Sequence, residues 1–159
     1  MNYTILVYGL GNEGKSTWIN RITTGRFLSD GNQTVNGIFA TNMGNVNIKF
    51  LESNNLEARV DGIILFLDLT HHNFLNRLET MLLNIKLSHQ KVPIVVCGNK
   101  SDLIDDNTLH ELHQNIDTFT RSHNSNFVYY TISSVSNYNY DKPLQCLLKK
   151  LVFHNIILY

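Results

Sequence analysis

The stretch Gly9-Leu10-Gly11-Asn12-Glu13-Gly14-Lys15-Ser16-Thr17-Trp18 decides how the rest of the chain is read. Its first eight residues satisfy G-x-x-x-x-G-K-[ST]. The apolar run Tyr3 to Tyr8 precedes it and reads as a buried strand. Residues 15–24 follow it and read as a helix opened by the glycine loop. Strand, glycine loop and helix in that order are the setting a phosphate-gripping loop requires. Backbone N–H groups of residues 11–16 can point into one concavity, and the positive end of the helix dipole aims at the same place. Lys15 suits the β- and γ-phosphates of a nucleotide, and the Ser16 hydroxyl suits Mg²⁺. The candidate cradle is Gly11, Asn12, Glu13, Gly14, Lys15, Ser16 and Thr17. Glu13 is out of character, because a carboxylate in such a loop repels phosphate. Its side chain is expected to point outward.

The loop does not choose a base, but Asn99-Lys100-Ser101-Asp102 does. It follows the apolar run Val92–Cys97 and so falls at the carboxyl edge of a sheet, where open α/β folds bind ligands. A carboxylate at Asp102 can accept the ring N–H and the exocyclic amine of guanine together, a match adenine lacks. The stem of Lys100 can lie over the ring, and Asn99 can tie this loop to the phosphate loop.

Around these motifs, strands and helices alternate. Strand-like runs are expected at 3–8, 38–43, 46–51, 62–69, 92–97 and 127–132, with a hairpin turn at Gly44-Asn45. Helices are expected at 15–24, 74–89, 108–121 and 142–153, and residues 25–36 read as a loop. This order predicts an α/β fold of three layers, a six-stranded, mostly parallel sheet with one antiparallel edge strand and helices on both faces. The 159 residues suit one domain spanning 1–159.

Composition narrows the function classes. Hydrophobic residues make up 43% and charged residues 16%, and the formal net charge is +0. No basic footprint for nucleic acid follows from that balance. No apolar run approaches the ~20 residues that span a bilayer, and neither end carries a signal peptide, a myristoylation site or a prenylatable Cys. A soluble protein without a membrane anchor, cytoplasmic or nuclear, is expected. Cys97 and Cys146 fall in an apolar strand and an apolar helix and read as free thiols. His110-Glu111-Leu112-His113 falls short of a zinc helix, because Gln114 stands where H-E-x-x-H needs its second histidine.

With these residues in view, the chain resembles a small GTPase of the Ras superfamily, closest to the Ran group. "VPIVVCGNKSDL" and "YYTISSVSNYNYDKPLQCLLKKL" (Tyr129–Leu151) carry that likeness alongside the two motifs, and the similarity covers nearly the whole chain, most densely after residue 60. The resemblance implies GTP or GDP and Mg²⁺ as ligands. It implies that Ser133, Ser134 and Val135 form the third guanine contact, with Ser-Val in place of the family's Ala-Lys. It matches Phe27 to the aromatic that packs on the base, and Thr34 to the threonine that meets Mg²⁺ and the γ-phosphate. Lys15 and Thr34 would then contact the transition state, and Glu52 would touch Mg²⁺ through water.

The second switch departs from the family. Its Asp-x-x-Gly-Gln pattern is replaced, with Glu52 for the aspartate, Asn55 for the glycine and Leu56 for the glutamine that orients the attacking water. Slow hydrolysis is expected. Arg59 reads as a solvated loop arginine rather than a cis arginine finger. Ser53 to Asp61 is also too short a crossing to hold a helix, so the switch helix is expected to be absent or one turn. The sheet face it leaves bare is either refilled by Tyr3, Ile5 and Phe50 or buried against a partner, a second copy included.

Three functions compete at this level. One is a Ran-like switch, persistently in one state, that binds effector- or transport-type proteins or competes for them. The second is a pseudo-GTPase scaffold in which nucleotide is structural or absent. The third is an active GTPase with its water held by another residue. The brevity of the chain and its asparagine-rich surface suggest a reduced copy of the family, with a virus as one source.

Overall fold

Alternation along the first strand sorts the molecule into two layers. In β1 (Asn2–Tyr8), Tyr3, Ile5 and Val7 face one side of the sheet and Leu6 and Tyr8 the other, as the two-residue period of a strand requires. The computed structural model describes residues 1–24, 34–123, 127–152 and 156–159. Among them, α1 (Lys15–Thr24) follows β1, and then come the hairpin strands β2 (Thr34–Thr41) and β3 (Gly44–Ser53). β4 (Gly62–Asp68), α2 (Phe74–Ser88), β5 (Ile94–Asn99), α3 (Asp106–Ser122), β6 (Val128–Thr131) and α4 (Lys142–Val152) complete the order. The sheet runs β2-β3-β1-β4-β5-β6. Only β2 is antiparallel to its neighbour. This is the expected three-layer α/β fold of a small G protein.

The layer under α1 and α4 gathers Ile5, Val7, Trp18, Phe50, Phe66, Leu144 and Leu147, all fully buried. Each side chain of that size contributes about 1.5–3 kcal/mol by leaving water. Trp18 stacks edge-on against Phe50, and its indole N–H donates to the Tyr140 carbonyl at 2.6 Å, so burial leaves no orphan donor. The layer under α2 and α3 holds Leu6, Tyr8, Ile63, Leu65, Phe74, Leu78, Met81 and Ile85. Cys97 is buried and Cys146 half-buried, both as free thiols, and burial pushes the Cys97 thiol well up.

Several boundaries differ from expectation, and three of them have a clear local reason. β2 begins at Thr34 rather than Ile38: Thr34 and Asn36 face solvent while Val35 turns inward, an alternation obscured by the strand-breaking Asn36 and Gly37. The hairpin turns at Asn42-Met43, two residues early. Thr41 Oγ1 accepts the Met43 N–H at 3.1 Å and donates to the Gly44 carbonyl at 2.6 Å, and Gly44 takes a left-handed φ of 95°. Helix α3 begins at Asp106 because the Asp105 carboxylate caps the Thr108 N–H at 3.0 Å.

The crossing from β3 to β4 carries no helix. It passes β1, starting where Ser53 O accepts the Gly9 N–H and ending where Asp61 bonds Thr4 through both its backbone N–H and its carboxylate. In between, the Leu56 and Val60 side chains pack against the α2/α3 layer, and the His89 ring N–H donates to the Leu56 carbonyl at 2.9 Å.

Of the two alternatives for the uncovered face, refilling by Tyr3, Ile5 and Phe50 does not occur. Tyr3, Ile5 and Phe50 all belong to the opposite, α1/α4 layer. Register sets Asn2 beside Asn47 and Ile38, and Thr4 beside Lys49 and Asn36, on the bare side. The Asn47 amide donates to Asn2 Oδ1 at 2.8 Å. Apart from Ile38, at 73% exposure, these are polar side chains content in water, so the face demands no cover.

Candidate nucleotide-binding site

The phosphate loop joins the end of β1 to α1 and closes on itself. The Glu13 N–H donates to the Gly11 carbonyl and the Trp18 N–H to the Gly14 carbonyl. Gly14 adopts φ +86°, and a Cβ there would stand 2.3 Å from Asn99 Nδ2. Only glycine fits both demands. Lys15 is buried, and its ammonium donates to the Gly9 and Gly11 carbonyls at 3.0 and 2.9 Å. That holds the cation at the floor of a cavity of about 410 Å³ between Gly9–Asn12, Lys15 and Glu52–Asn55. Asn12 is exposed and Thr17 half-buried.

Asn99, buried at the end of β5, joins three loops. Its amide N–H donates to the Glu13 carbonyl at 2.9 Å, and its Oδ1 accepts the Ser134 N–H at 3.0 Å and hydroxyl at 3.2 Å. Ser133 is fully buried, and its hydroxyl donates to Asp102 Oδ1 at 2.6 Å. Asp102 itself is exposed at the rim. Lys100 holds a left-handed φ of 67°, a conformation uncommon outside glycine and worth noticing at a site. Its ammonium pairs with Asp68 Oδ2 at 2.6 Å. Burial pushes the Asp68 carboxyl up, but hydrogen bonds from Lys100 and Thr70 outweigh it and hold the group below its ordinary range. Val135 is exposed and offers its carbonyl to Arg21.

At the other end of the loop, the Ser16 hydroxyl donates to both Glu52 oxygens, at 2.7 and 2.8 Å. Thr34 opens β2 at the same sheet edge, opposite Leu51 and so one residue from Glu52 in register. A hydroxyl and a single carboxylate, both hard oxygen donors beside a lysine-floored cavity, fit Mg²⁺, which takes one or two carboxylates and leaves room for phosphate oxygens. Phe27 lies outside the described residues. His110 and His113 diverge, the first to Gln114 and the second to Thr131.

Glu13 corrects an expectation. Its side chain is only 2% exposed and points inward, with Oε1 accepting from Arg77 Nη2 of α2 at 2.8 Å. Oε2 is buried without a hydrogen-bond partner. Burial, and to a lesser degree the Glu13 charge, raises the Tyr8 hydroxyl above its ordinary value. Sequence reasoning missed Arg77 and Asp68. Part of the signal for Arg77 was there: a carboxylate inside the loop calls for a counter-ion, and α2, the next helix after α1, carries one cation near its start.

A phosphate loop at the sheet's carboxyl edge, bridged by one asparagine to a base-side loop, defines a P-loop nucleotide-binding protein of the α/β class. The family model described as the Ras family matches residues 4–153. The chain belongs to the Ras family and is a small GTPase with the GTP-binding fold of that family. No described helix is long and apolar enough to cross a membrane.

Proposed function

We propose that this chain is a Ran-like guanine-nucleotide binder that holds GTP or GDP with Mg²⁺ and hydrolyses GTP only weakly. In this reading Gly11–Thr17 hold the phosphates. Asp102, Asn99, Lys100 and the Ser133–Val135 loop hold guanine. Ser16, Thr34 and Glu52 hold Mg²⁺, which when bound supplies positive charge to the phosphates. One observation supports the weak hydrolysis. The Asn55 N–H that should read out the γ-phosphate is already engaged, and Leu56 lies outside the cavity lining. The Asn55 N–H donates to Ser53 Oγ at 3.0 Å, and Leu56 packs into the α2/α3 layer with its carbonyl held by His89. Arg59 sits near Asp61 and Thr4, at the start of β1, whereas the phosphate loop follows its end. Such a protein stays in one nucleotide state and occupies effector- or transport-type partners, or competes for them. The homodimer that a bare apolar face would imply gains no support from the polar face observed.

Single-turnover GTP hydrolysis by wild type and Leu56→Gln tests this reading. Both are expected to be slow, because a glutamine at position 56 begins half-buried against the α2/α3 layer and away from the cavity. A wild-type rate matching ordinary family members overturns it. The scaffold alternative is favoured by one observation, the carboxylate of Glu13 inside the phosphate loop.

A further inference from the structure

We propose that Arg77 is a positioning residue for the phosphate grip: it cancels the Glu13 charge and holds that carboxylate off the anion site, and so sets the site's affinity for guanosine polyphosphates. The inference rests on the nucleotide-binding reading above and addresses the feature that most threatens it.

The loop contains one cation, Lys15, and one anion, Glu13, two residues apart. Without a counter-ion, the carboxylate would offset the lysine for any incoming phosphate. The structure shows how close that is. A Cβ placed on Gly9 would lie 2.1 Å from Glu13 Oε2 and 3.3 Å from Lys15 Nζ. Both charges therefore flank the same glycine. Yet Lys15 donates to the Gly9 and Gly11 carbonyls, not to the carboxylate. The ion pair of Glu13 among the described residues is with Arg77, through Oε1. Oε2 is buried without a hydrogen-bond partner, so among the described residues the guanidinium is the one cation that pairs directly with the carboxylate.

Arg77 is placed for this and little else. It lies near the start of α2, the positive end of the helix dipole, where a cation is disfavoured. Its side chain is 27% exposed, and its other described side-chain neighbour is His71, with Nη1 3.5 Å from Nε2. A buried carboxylate stripped of its cation faces a strong desolvation penalty. Its nearest relief is the Lys15 ammonium across Gly9. That competition draws Lys15 away from phosphate. Gly9 is also fixed by the arrangement, since any side chain there would strike the carboxylate.

The test measures GDP and GTP dissociation constants with Mg²⁺ for wild type, R77M, R77K, E13Q and E13Q/R77M, alongside thermal unfolding without nucleotide. R77M is expected to lose about ten- to a hundredfold in affinity, more for GTP than for GDP because GTP carries more charge. R77K should recover part of the loss and E13Q/R77M nearly all of it. Equal losses for both nucleotides that E13Q does not rescue mark a merely structural role and overturn the inference, as does R77M with unchanged affinity. If R77M fails to fold, the double variant decides: binding supports the inference, and a folded double variant that does not bind overturns it. Wild-type protein that binds no guanine nucleotide overturns the function reading and this inference together.

Discussion

The Asn99 side-chain amide donates to the Glu13 carbonyl at 2.9 Å across a sequence separation of 86 residues. That bond locks the base-side edge of β5 to the phosphate loop, and the other end of the same amide accepts from Ser134. One buried side chain thus sets the distance between the two halves of the site.

Asn99→Ala is therefore expected to damage both stability and binding. It leaves the Glu13 carbonyl and the Ser134 N–H buried without partners, at about 1–3 kcal/mol each. Urea unfolding should show a loss of roughly 2–4 kcal/mol, and GDP affinity should fall by more than tenfold. An unchanged urea midpoint would show that Asn99 does not join these loops.

Glycines in the phosphate loop should differ sharply. Gly14→Ala forces an alanine to φ +86° and drives its Cβ to 2.3 Å from Asn99 Nδ2, so it should cost at least about 1–2 kcal/mol. A Cβ on Gly11 meets nothing within 4 Å, and Gly11→Ala should change stability by less than about 0.5 kcal/mol. Parallel thermal melts of the two variants check this, and equal melting points would refute it.

The Lys100–Asp68 pair carries a pH signature. The folded-state carboxyl of Asp68 lies below its ordinary value of 3.8. Its contribution is therefore complete above that value and is lost as pH falls through the lower folded one. Asp68→Asn should melt a few degrees below wild type at pH 7, and the gap should narrow as pH falls below 3.8 and through the lower folded-state value. A gap independent of pH would place the effect outside the ion pair.

Glu52 should govern the response to Mg²⁺. Its carboxylate is bonded through both oxygens to the Ser16 hydroxyl, so Glu52→Ala removes both a ligand-orienting partner and a charge. The Mg²⁺ concentration needed to retain GDP should rise about ten- to a hundredfold. Release kinetics with graded Mg²⁺ and chelator give the answer, and an unshifted midpoint removes Glu52 from the metal site.

The fold was legible because its signals are local. The continuous apolar runs around Ile5, Ile64 and Val95 mark strands buried on both faces, and the nine residues from Ser53 to Asp61 are arithmetically too few for a helix. The two nucleotide motifs place their residues where the structure brings them together, at one sheet edge. What stayed hidden depends on side-chain direction. Glu13 turns inward to meet Arg77 of α2, sixty-four residues on; the loop carboxylate calls for a cation, but nothing near Glu13 says which one answers. The polar face on β3 was written in the alternation of Asn45, Asn47 and Lys49 with Val46, Ile48 and Phe50, yet its meaning needed the strand order. Lys100 and Asp68 meet because β4 and β5 are neighbours in register, another fact of assembly.

The hydrophilic flank of β1, β3 and β2 has a consequence for engineering. A switch helix transplanted from a longer relative, apolar stripe and all, would land on Asn2, Asn47 and Lys49 and find no greasy seat. The helix-free crossing and the polar strand faces beside it suit one another, and adding a helix without changing the strands should leave the graft detached.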